Sequence, residues 1–562
     1  MTTERTSRPR GEAPKERPSP KAGRVGVAGW LGLSALLAGA AASCGGDEAP
    51  PSDLDDGAAA PEQAAGEGAL REPGGDALAE GDAPEVAPFD WVGIVGTGQS
   101  LSIGSTASAV ISTTQPYENG MLVDDGPHPK FPLEGGAPVF SIAPLVEPVR
   151  PPLVGPGYSD RVYPDNVRGE TPSSGMANQV TSLFLARTGK GYVTVHSVVG
   201  RSGRRLSAID KDGGELPYRA TLMEARAFRD LAAKAGKTFG YGAVVLTHGE
   251  ADARNAEYGA GIKKLIDDHN ADLKAITGQT RDIVLLASQQ STRVYVPGSA
   301  TDLWLASLAH PNLIVCTGPK YQYAYSADRL HMPAASYRRL GEKYGEVYDI
   351  VVNQRKAWRP LQPRAATRSG TKIVVAFDVP VPPLQWDETL APNHQTVNRE
   401  WANGRGFEVT NAAGTKLRIA SAAITGPSEV TLTLAAAPTG PVTVGYALTQ
   451  DGTEENGGSV DGFRGQLRDS DELVGYDEET ISVRVTNGST TVNLTEGSTL
   501  ARRGVRDVVT GEGAPKDWTV MAIASPTRMT MSAPWPGPTG ARTLKVHHDL
   551  HNYAVHAFVT AP

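Results

Sequence analysis

The ten residues WVGIVGTGQS, at positions 91–100, decide the fold class of this chain. Trp91 to Thr97 is a compact apolar run with the length of a buried β-strand, and Gly98 after it permits a sharp turn. Such a turn leaves Ser100 at the carboxyl edge of the strand with its backbone N–H free. The stretch is equally consistent with an ordinary Gly-Ser turn, so its meaning depends on what the rest of the chain places beside it.

Four further apolar runs repeat the pattern and alternate with helical periods. The predicted strands are 91–97, 192–199, 243–247, 282–287 and 312–316. The predicted helices are 176–186 (with Thr171 and Pro172 at its start), 218–235, 256–276 and 334–348. This alternation predicts an α/β domain over residues 89–354, with a parallel sheet covered by helices on both faces. Residues 104–165 are rich in Pro and Gly and are predicted to form an irregular loop region.

The pattern changes after about residue 355, where helical periods nearly vanish. Short β-branched runs follow one another, separated by Gly, Pro and Asn, at 372–378, 416–423, 430–434 and 442–447. Their spacing predicts an antiparallel β-sandwich region over residues 355–562. Residues 482–546 are rich in Thr and Val and are predicted to form a small β insert, and the run 553–560 is predicted to complete the sandwich across it.

The composition restricts the partners and cofactors that we expect. The 562 residues carry a formal net charge of −8 without a long basic run, which argues against nucleic acid as a partner. The two cysteines, Cys44 and Cys316, are too few for a disulfide framework. His547, His548 and His551 are interpreted as ordinary surface or sandwich residues, so neither a metal nor another cofactor is predicted.

The first 44 residues have the three parts of an export signal. Residues 1–24 are basic, residues 25–42 are apolar, and small residues precede Cys44. This ending resembles the bacterial lipoprotein signal, which implies lipidation of Cys44 and attachment to a membrane of the cell envelope. The alternative is an uncleaved anchor, since the apolar run is about long enough to span a bilayer. Residues 45–88 have the composition of a disordered tether.

Polar residues follow several of the predicted strands at the point where each strand ends. Ser100 follows the first strand, Gly200 to Gly203 the second, His248 to Asp252 the third, and Asp328 with His331 comes after the fifth. Ester hydrolysis needs a serine, a histidine that takes its proton and an acid that orients the histidine. Because the carboxyl ends of parallel strands share one edge, these residues are expected to meet there. Each of these segments taken alone also has a structural explanation: a turn, a helix start rich in acids, or a capping Asp beside a solvated His.

The four blocks together resemble the SGNH hydrolases, specifically the sialate O-acetylesterase group, which includes acetylxylan esterases of carbohydrate esterase family six. The blocks of that group are GQSN, a Gly-rich stretch before S-I-x-x-L, QGE before S/A-D, and D-x-x-H. The matching segments here are 98–101, 200–209, 248–252 and 328–331. The resemblance implies a flavodoxin-like three-layer α/β sandwich. Parts of the C-terminal region, 406–409, 467–470 and 551–553, are also similar to this group.

The resemblance also implies roles for individual residues. Ser100 is the nucleophile, His331 the general base and acid, and Asp328 the orienting acid. The oxyanion is expected to receive hydrogen bonds from the N–H groups of Ser100 and Gly203. Two positions depart from the family pattern, because Leu101 replaces Asn and His248 replaces Gln. The departure at 248 affects the third oxyanion donor, a role in which a histidine is still expected to donate, with a pH dependence that Gln lacks.

Three residues beside these blocks are expected to bind substrate: Gln99, Glu250 and Arg204. Arg201, Arg204 and Arg205 together offer a carboxylate site for an acidic sugar, although a solvated loop explains them as well.

The sequence thus predicts a carbohydrate O-acetyl esterase that acts on an acetylated glycan. One alternative is a glycan-binding surface lipoprotein that has lost activity, and another is a lipase-like enzyme of the same fold.

Overall fold

The computed structural model describes residues 86–107, 110–124, 140–149, 169–213, 216–390, 398–449, 464–495 and 497–562. The predicted export signal, Cys44 and all but the last three residues of the predicted tether lie outside these ranges. Within the ranges, no helix combines the length and the apolar character that a membrane crossing requires.

A seven-stranded sheet forms the centre of the first half of the chain. Its strands are β1 (Trp91–Gly98), β2 (Gly120–Asp124), β3 (Phe140–Pro144), β4 (Thr194–Val198), β5 (Phe239–Thr247), β6 (Val284–Gln289) and β7 (Ile314–Pro319). They lie in the order β3-β2-β4-β1-β5-β6-β7. The five strands β4-β1-β5-β6-β7 run parallel, in the arrangement of flavodoxin-like sheets. The carboxyl end of β1 therefore lies between those of β4 and β5.

Two strands of this sheet fall where the sequence predicts an irregular loop. β2 pairs in parallel with β4, and β3 pairs with β2 in the antiparallel direction. The sheet is therefore mixed, and the prediction of a loop throughout residues 104–165 and of a purely parallel sheet is wrong. Strands of five residues at the edge of a sheet leave little periodic signal, because the hydrogen bonds of a neighbour supply their order.

Helices cover both faces of the sheet. They are α1 (Pro172–Thr188), α2 (Leu206–Ile209), α3 (Leu216–Lys234), α4 (Tyr258–Thr277), α5 (Ser299–Ala309) and α6 (Ala334–Tyr348). Val92 and Ile94 of β1 pack with α1 and α6, whereas Val95 packs with α3, α4 and α5. The predicted start of α1 is confirmed, because Thr171 caps it by accepting a hydrogen bond from the N–H of Ser173 at 3.2 Å.

The second half of the chain is β-rich. Its strands are β8 (Gln362–Ser369), β9 (Lys372–Asp378), β10 (Gln385–Trp386), β11 (Phe407–Asn411), β12 (Ile419–Gly426), β13 (Glu429–Leu434), β14 (Val442–Tyr446), β15 (Leu467–Arg468), β16 (Glu479–Val485), β17 (Thr491–Leu494), β18 (Val508–Thr510), β19 (Val520–Ser525), β20 (Arg528–Met531), β21 (Gly540–His547) and β22 (Ala557–Ala561).

Two antiparallel sheets share one core and form what we call the sandwich. One sheet has the order β12-β13-β9-β8 and the other β11-β14-β22, and residues such as Val375, Leu432 and Val444 pack between them. The last strand, β22, pairs with β14. This pairing confirms that the C-terminal run completes the sandwich.

The strands β16 to β21 form a separate six-stranded antiparallel sheet, which falls on the stretch where the sequence predicts a β insert. Backbone hydrogen bonds of 2.7 to 2.9 Å join residues 506–509 with residues 518–520, so the two outer strands meet and the sheet closes on itself. Trp518 and Trp535 fill its centre, with ring centroids 5.4 Å apart. Residues 479–547 are called the barrel below. Closure removes the exposed strand edges that an isolated sheet presents.

Buried ion pairs join α6 to the barrel and to the segment that leads into it. Arg339 contacts Asp507 at 2.5 Å, and Arg338 contacts Asp477 at 2.7 Å. The two arginine side chains are 1% exposed. The helix that follows the Asp328 and His331 segment is thereby held between the α/β domain and the barrel.

Candidate active site

Ser100 reaches the carboxyl edge of the sheet through a turn that only glycine accommodates. Gly98 ends β1 with a φ of +135°, and a Cβ at this position would lie 2.2 Å from the carbonyl oxygen of Thr247 on the neighbouring strand. The chain then turns into a short 3-10 helix, Ser100–Ile103, whose first residue is Ser100. Ser100 is 5% exposed. The serine thus stands at the edge where β1 and β5 end, with limited access to solvent.

Asp328 and His331 lie on a tight turn just before α6. Their spacing of three residues predicts that both side chains lie on one side of a helical turn. This prediction is wrong, because Arg329 between them has a φ of +57° and α6 begins at Ala334. Asp328 shapes the turn with its own side chain, because Oδ1 accepts hydrogen bonds from the N–H groups of Leu330 at 3.1 Å and His331 at 3.0 Å. Short polar side chains commonly form such turns with the backbone that follows them.

The structure brings the three predicted side chains into one hydrogen-bonded chain. His331 Nε2 lies 2.8 Å from Ser100 Oγ, and His331 Nδ1 lies 2.6 Å from Asp328 Oδ2. Partial burial raises the pKa of Asp328, but the hydrogen bonds from the His331 ring and from two backbone N–H groups outweigh it and leave the pKa below its usual value. An ionised Asp328 accepts a hydrogen bond from the Nδ1–H group of His331, which leaves Nε2 unprotonated and able to take the serine proton.

Two backbone N–H groups are placed to serve an oxyanion. The segment after β4 runs beside the serine turn, since the N–H of Arg201 donates to the carbonyl of Gly98 at 2.9 Å. A Cβ at Gly200 would lie 1.9 Å from Ser102 Oγ, so the close approach depends on glycine. Within the ranges that the structure covers, the N–H groups of Ser100 and Gly203 have no hydrogen-bond acceptor. Both are available to a developing negative charge.

His248 supports the segment beside the site and does not face an oxyanion. Its Nε2 lies 2.9 Å from the carbonyl oxygen of Arg204 and its Nδ1 lies 3.0 Å from the hydroxyl of Tyr258. Because a carbonyl only accepts, Nε2 carries the proton and Nδ1 accepts from Tyr258. Burial lowers the pKa of His248 and keeps the ring neutral. With both ring nitrogens engaged, no donor is left for the third oxyanion contact that the sequence predicts.

Asp252, the last residue of the same block, holds the adjacent backbone. Its Oδ2 accepts a hydrogen bond from the N–H of Leu206 at 2.6 Å, two residues beyond the carbonyl that His248 contacts. The block from His248 to Asp252 therefore fixes the backbone directly after Gly203.

Gln99 and Glu250, both predicted to bind substrate, instead bind each other below the serine. Gln99 Nε2 donates to Glu250 Oε2 at 2.9 Å, and Gln99 Oε1 accepts from the N–H of Ala251 at 3.0 Å. Glu250 Oε1 contacts Lys320 Nζ at 2.5 Å, and the side chains of Glu250 and Lys320 are 3% and 0% exposed. Sequence reasoning missed Lys320, although a lysine directly after β7 stands at the same edge as the other blocks. This network fixes the residue that precedes Ser100.

The arginines of the loop after β4 border the site. Arg204 and Arg205 are exposed, and Arg201 is half-buried. The backbone carbonyl of Arg204 accepts a hydrogen bond from His248, and contact of Arg204 with a substrate stays a prediction.

The cysteine and the C-terminal histidines lie in surroundings that suit a structural role. Cys316 is buried, and burial raises the pKa of its thiol to about 12, which keeps it protonated and unreactive. His547 and His551 pair with Asp549, at 3.0 and 3.4 Å. Across the described part of the chain, no group of His, Cys, Asp and Glu has an arrangement that holds a metal ion.

The chain matches no protein-family model and no curated protein. Among solved structures, a carbohydrate acetylesterase from Xanthomonas citri is similar with a TM-score of 0.38 and 15% identity, over 66% of this chain and 77% of that chain. A protein from Arabidopsis thaliana gives a TM-score of 0.31 with 17% identity, over 46% of this chain and 98% of its own. The protein NanS gives 0.30 with 10% identity, over 47% and 98%. These likenesses are too distant to assign a family.

Proposed function

We propose that the protein is a serine esterase that removes acetyl groups from sugars. The observation that carries the proposal is the hydrogen-bonded chain from Ser100 Oγ through His331 to Asp328 at the carboxyl edge of the sheet. The donors and acceptors of Ser100, His331 and Asp328 are arranged as in enzymes that transfer an acyl group to serine, which supports the proposal. The two unpartnered N–H groups beside it, those of Ser100 and Gly203, support the same reaction.

The reaction proceeds in two halves. In the first, Ser100 Oγ attacks the ester carbonyl while His331 Nε2 takes the hydroxyl proton, and the N–H groups of Ser100 and Gly203 stabilise the oxyanion. Collapse of the tetrahedral intermediate breaks the bond to the sugar oxygen, which receives the proton from His331. In the second half, water attacks the acetyl-serine while His331 takes a proton from the water. Collapse of this second intermediate releases acetate, and His331 gives the proton back to Ser100.

The low exposure of the serine favours a substrate with a small acyl group, and the open surface beside it favours a bulky alcohol. Ser100 is 5% exposed and the His331 side chain 13% exposed, so little room for a long acyl chain is open at the serine itself. Beside it, Gly203 and the exposed Arg204 form an open rim, where a Cβ at Gly203 would meet no atom within 4 Å. The choice of a sugar as the alcohol rests on the resemblance of the four sequence blocks to the sialate O-acetylesterase group.

We expect the purified full-length chain to hydrolyse 4-nitrophenyl acetate with a kcat/KM at least about tenfold above that for 4-nitrophenyl octanoate, because the proposed substrate carries an acetyl group and Ser100 is only 5% exposed. Initial rates measured beside the Ser100→Ala variant separate the enzyme from background hydrolysis. A higher rate on octanoate would favour the lipase-like alternative, and no rate above the variant would contradict the esterase. Acetylated xylan, acetylated sialic acid and peptidoglycan fragments, tested side by side, then identify the sugar.

We further propose that export attaches the chain to a membrane through Cys44. Cells that express the protein and are fed a radiolabelled fatty acid are expected to label it, and Cys44→Ala is expected to abolish the label. Cys316→Ala is the matched control and should retain it, because that thiol is buried and protonated. Label that persists in Cys44→Ala, or a native protein without label, would contradict lipidation and leave the uncleaved anchor.

A further inference from the structure

A polar cleft lies between the barrel and the short pair of strands β10 and β15. It consists of two adjoining cavities of about 420 and 480 Å³, both lined by Arg468, Lys516 and Asp517. Trp386 of β10 lines one wall, and Met521 of β19 lines the barrel wall. These residues are here called the barrel cleft. Each cavity has the size of a typical small-molecule site.

Two ion pairs join charged side chains of the barrel cleft. Arg506 contacts Asp387 at 2.6 Å and donates to the hydroxyl of Tyr553 at 2.9 Å. Arg468 contacts Asp517 at 3.2 Å. The first cavity carries three cationic side chains (Arg468, Arg506 and Lys516) and four carboxylates (Asp387, Glu388, Asp517 and Asp549). No surplus of positive charge is present to attract an anion.

Pairing of this kind holds donors and acceptors in fixed directions, and four carboxylates against three cationic side chains leave no positive charge for an anion. Hydroxyl groups, which both donate and accept, suit such a surface better than ions do. Groups that are oriented before the ligand arrives cost little entropy on binding. The polar floor of the cleft therefore favours a neutral ligand with many hydroxyl groups.

Apolar side chains face this polar floor from both walls. Trp386 is half-buried, and the guanidinium of Arg405 lies 4.9 Å from its ring centroid. Met521 is 41% exposed, which is unusual for a large apolar residue in this chain. The C–H faces of sugar rings pack on aromatic and thioether groups, so the combination fits a saccharide better than a linear polyol.

The barrel cleft also lies near the candidate active site. Gln322, which follows β7, lines its inner end. β7 is three strands from β1 in the central sheet, which corresponds to about 15 Å between their carboxyl ends.

We infer that the barrel cleft is a second, non-catalytic binding site for a neutral oligosaccharide, separate from the acyl site at Ser100. This goes beyond the proposed esterase activity, because binding in the cleft needs none of the residues of the hydrogen-bonded chain. The contacts come from Trp386 and Met521 on the two walls and from the paired polar side chains between them.

Isothermal titration of the full-length Ser100→Ala protein tests the inference, with cellohexaose, xylohexaose and chitohexaose as neutral probes and a sialylated trisaccharide as the anionic probe. At least one neutral probe is expected to bind with one site per chain. Trp386→Ala is expected to weaken this binding about tenfold, the equivalent of about 1.4 kcal/mol. Met521→Ala, at an exposed position that folding tolerates, is expected to weaken it in the same direction.

Leu185→Ala is the matched control, because Leu185 is 42% exposed on α1 and lies outside the cleft, and it should bind as tightly as the parent. The inference is overturned if none of the neutral probes binds at millimolar concentration, if Met521→Ala binds as tightly as the parent, or if only the sialylated probe binds. Since every measurement uses protein without the serine, a failure of the esterase proposal leaves these outcomes unchanged.

Discussion

Replacing His331 with alanine is expected to lower kcat for acetate ester hydrolysis by on the order of 10³-fold or more. The ring contacts both the hydroxyl of Ser100, at 2.8 Å, and the carboxylate of Asp328, at 2.6 Å. Without it, the serine has no base to take its proton and the leaving sugar oxygen has no acid to supply one. Steady-state rates on 4-nitrophenyl acetate measure the loss.

His310→Ala provides the control for this substitution, because His310 lies after α5, away from the serine, and its replacement should leave the rate unchanged. A fluorophosphonate probe, which reacts with activated serines, should label Ser100 in the native chain and much more slowly in His331→Ala. Asp328→Asn is expected to slow both reactions, since the amide cannot stabilise the protonated ring. Substantial activity in His331→Ala would remove this histidine from the mechanism.

The proximity of Ser100 and His331 was predictable because local rules apply at each. A buried apolar run followed by Gly98 gives a strand and a turn, and Ala334–Tyr348 has the periodicity of an amphipathic helix, confirmed at both ends. Parallel strands place their carboxyl ends on one edge, whatever the details between them. The separation of 231 residues along the chain therefore mattered less than the alternation of strands and helices.

The partners of His248 were not predictable from its block. Its two hydrogen bonds go to the Tyr258 hydroxyl and to the Arg204 carbonyl, which is 44 residues away along the chain. A carbonyl leaves no mark on the sequence, because every residue carries one. The sequence indicated a polar residue at the end of the strand. Whether its ring faces the site or supports the loop depends on the tertiary structure.

The pattern of apolar residues did not predict α5, although the topology of the sheet requires a connection of this kind. Ser299–Ala309 lies between β6 and β7, which are parallel neighbours. A connection between parallel strands needs a crossover of a dozen or more residues, usually a helix.

The closure of the barrel could not be predicted from the sequence. It depends on a few backbone hydrogen bonds between residues 506–509 and 518–520, which the pattern of side chains does not report.

Replacing Lys320 with methionine is expected to destabilise the folded chain by about 3–5 kcal/mol, because the carboxylate of Glu250 would remain buried without its cation. The two side chains are 0% and 3% exposed and lie 2.5 Å apart. The only other side chain bound to Glu250 within the part of the chain that the structure describes is Gln99, a neutral donor that compensates a charge incompletely. Urea denaturation followed by far-UV circular dichroism measures the change.

Two further variants show whether the loss comes from the uncompensated charge. Lys263→Met removes a partly exposed pair with Asp267 on α4 and should cost less than about 1 kcal/mol. The double variant Lys320→Met with Glu250→Gln removes both buried charges and should recover most of the stability lost in the single variant. If Lys320→Met is as stable as Lys263→Met, the buried pair does not contribute to the stability of the native chain and cannot be what holds Gln99 in place before the serine.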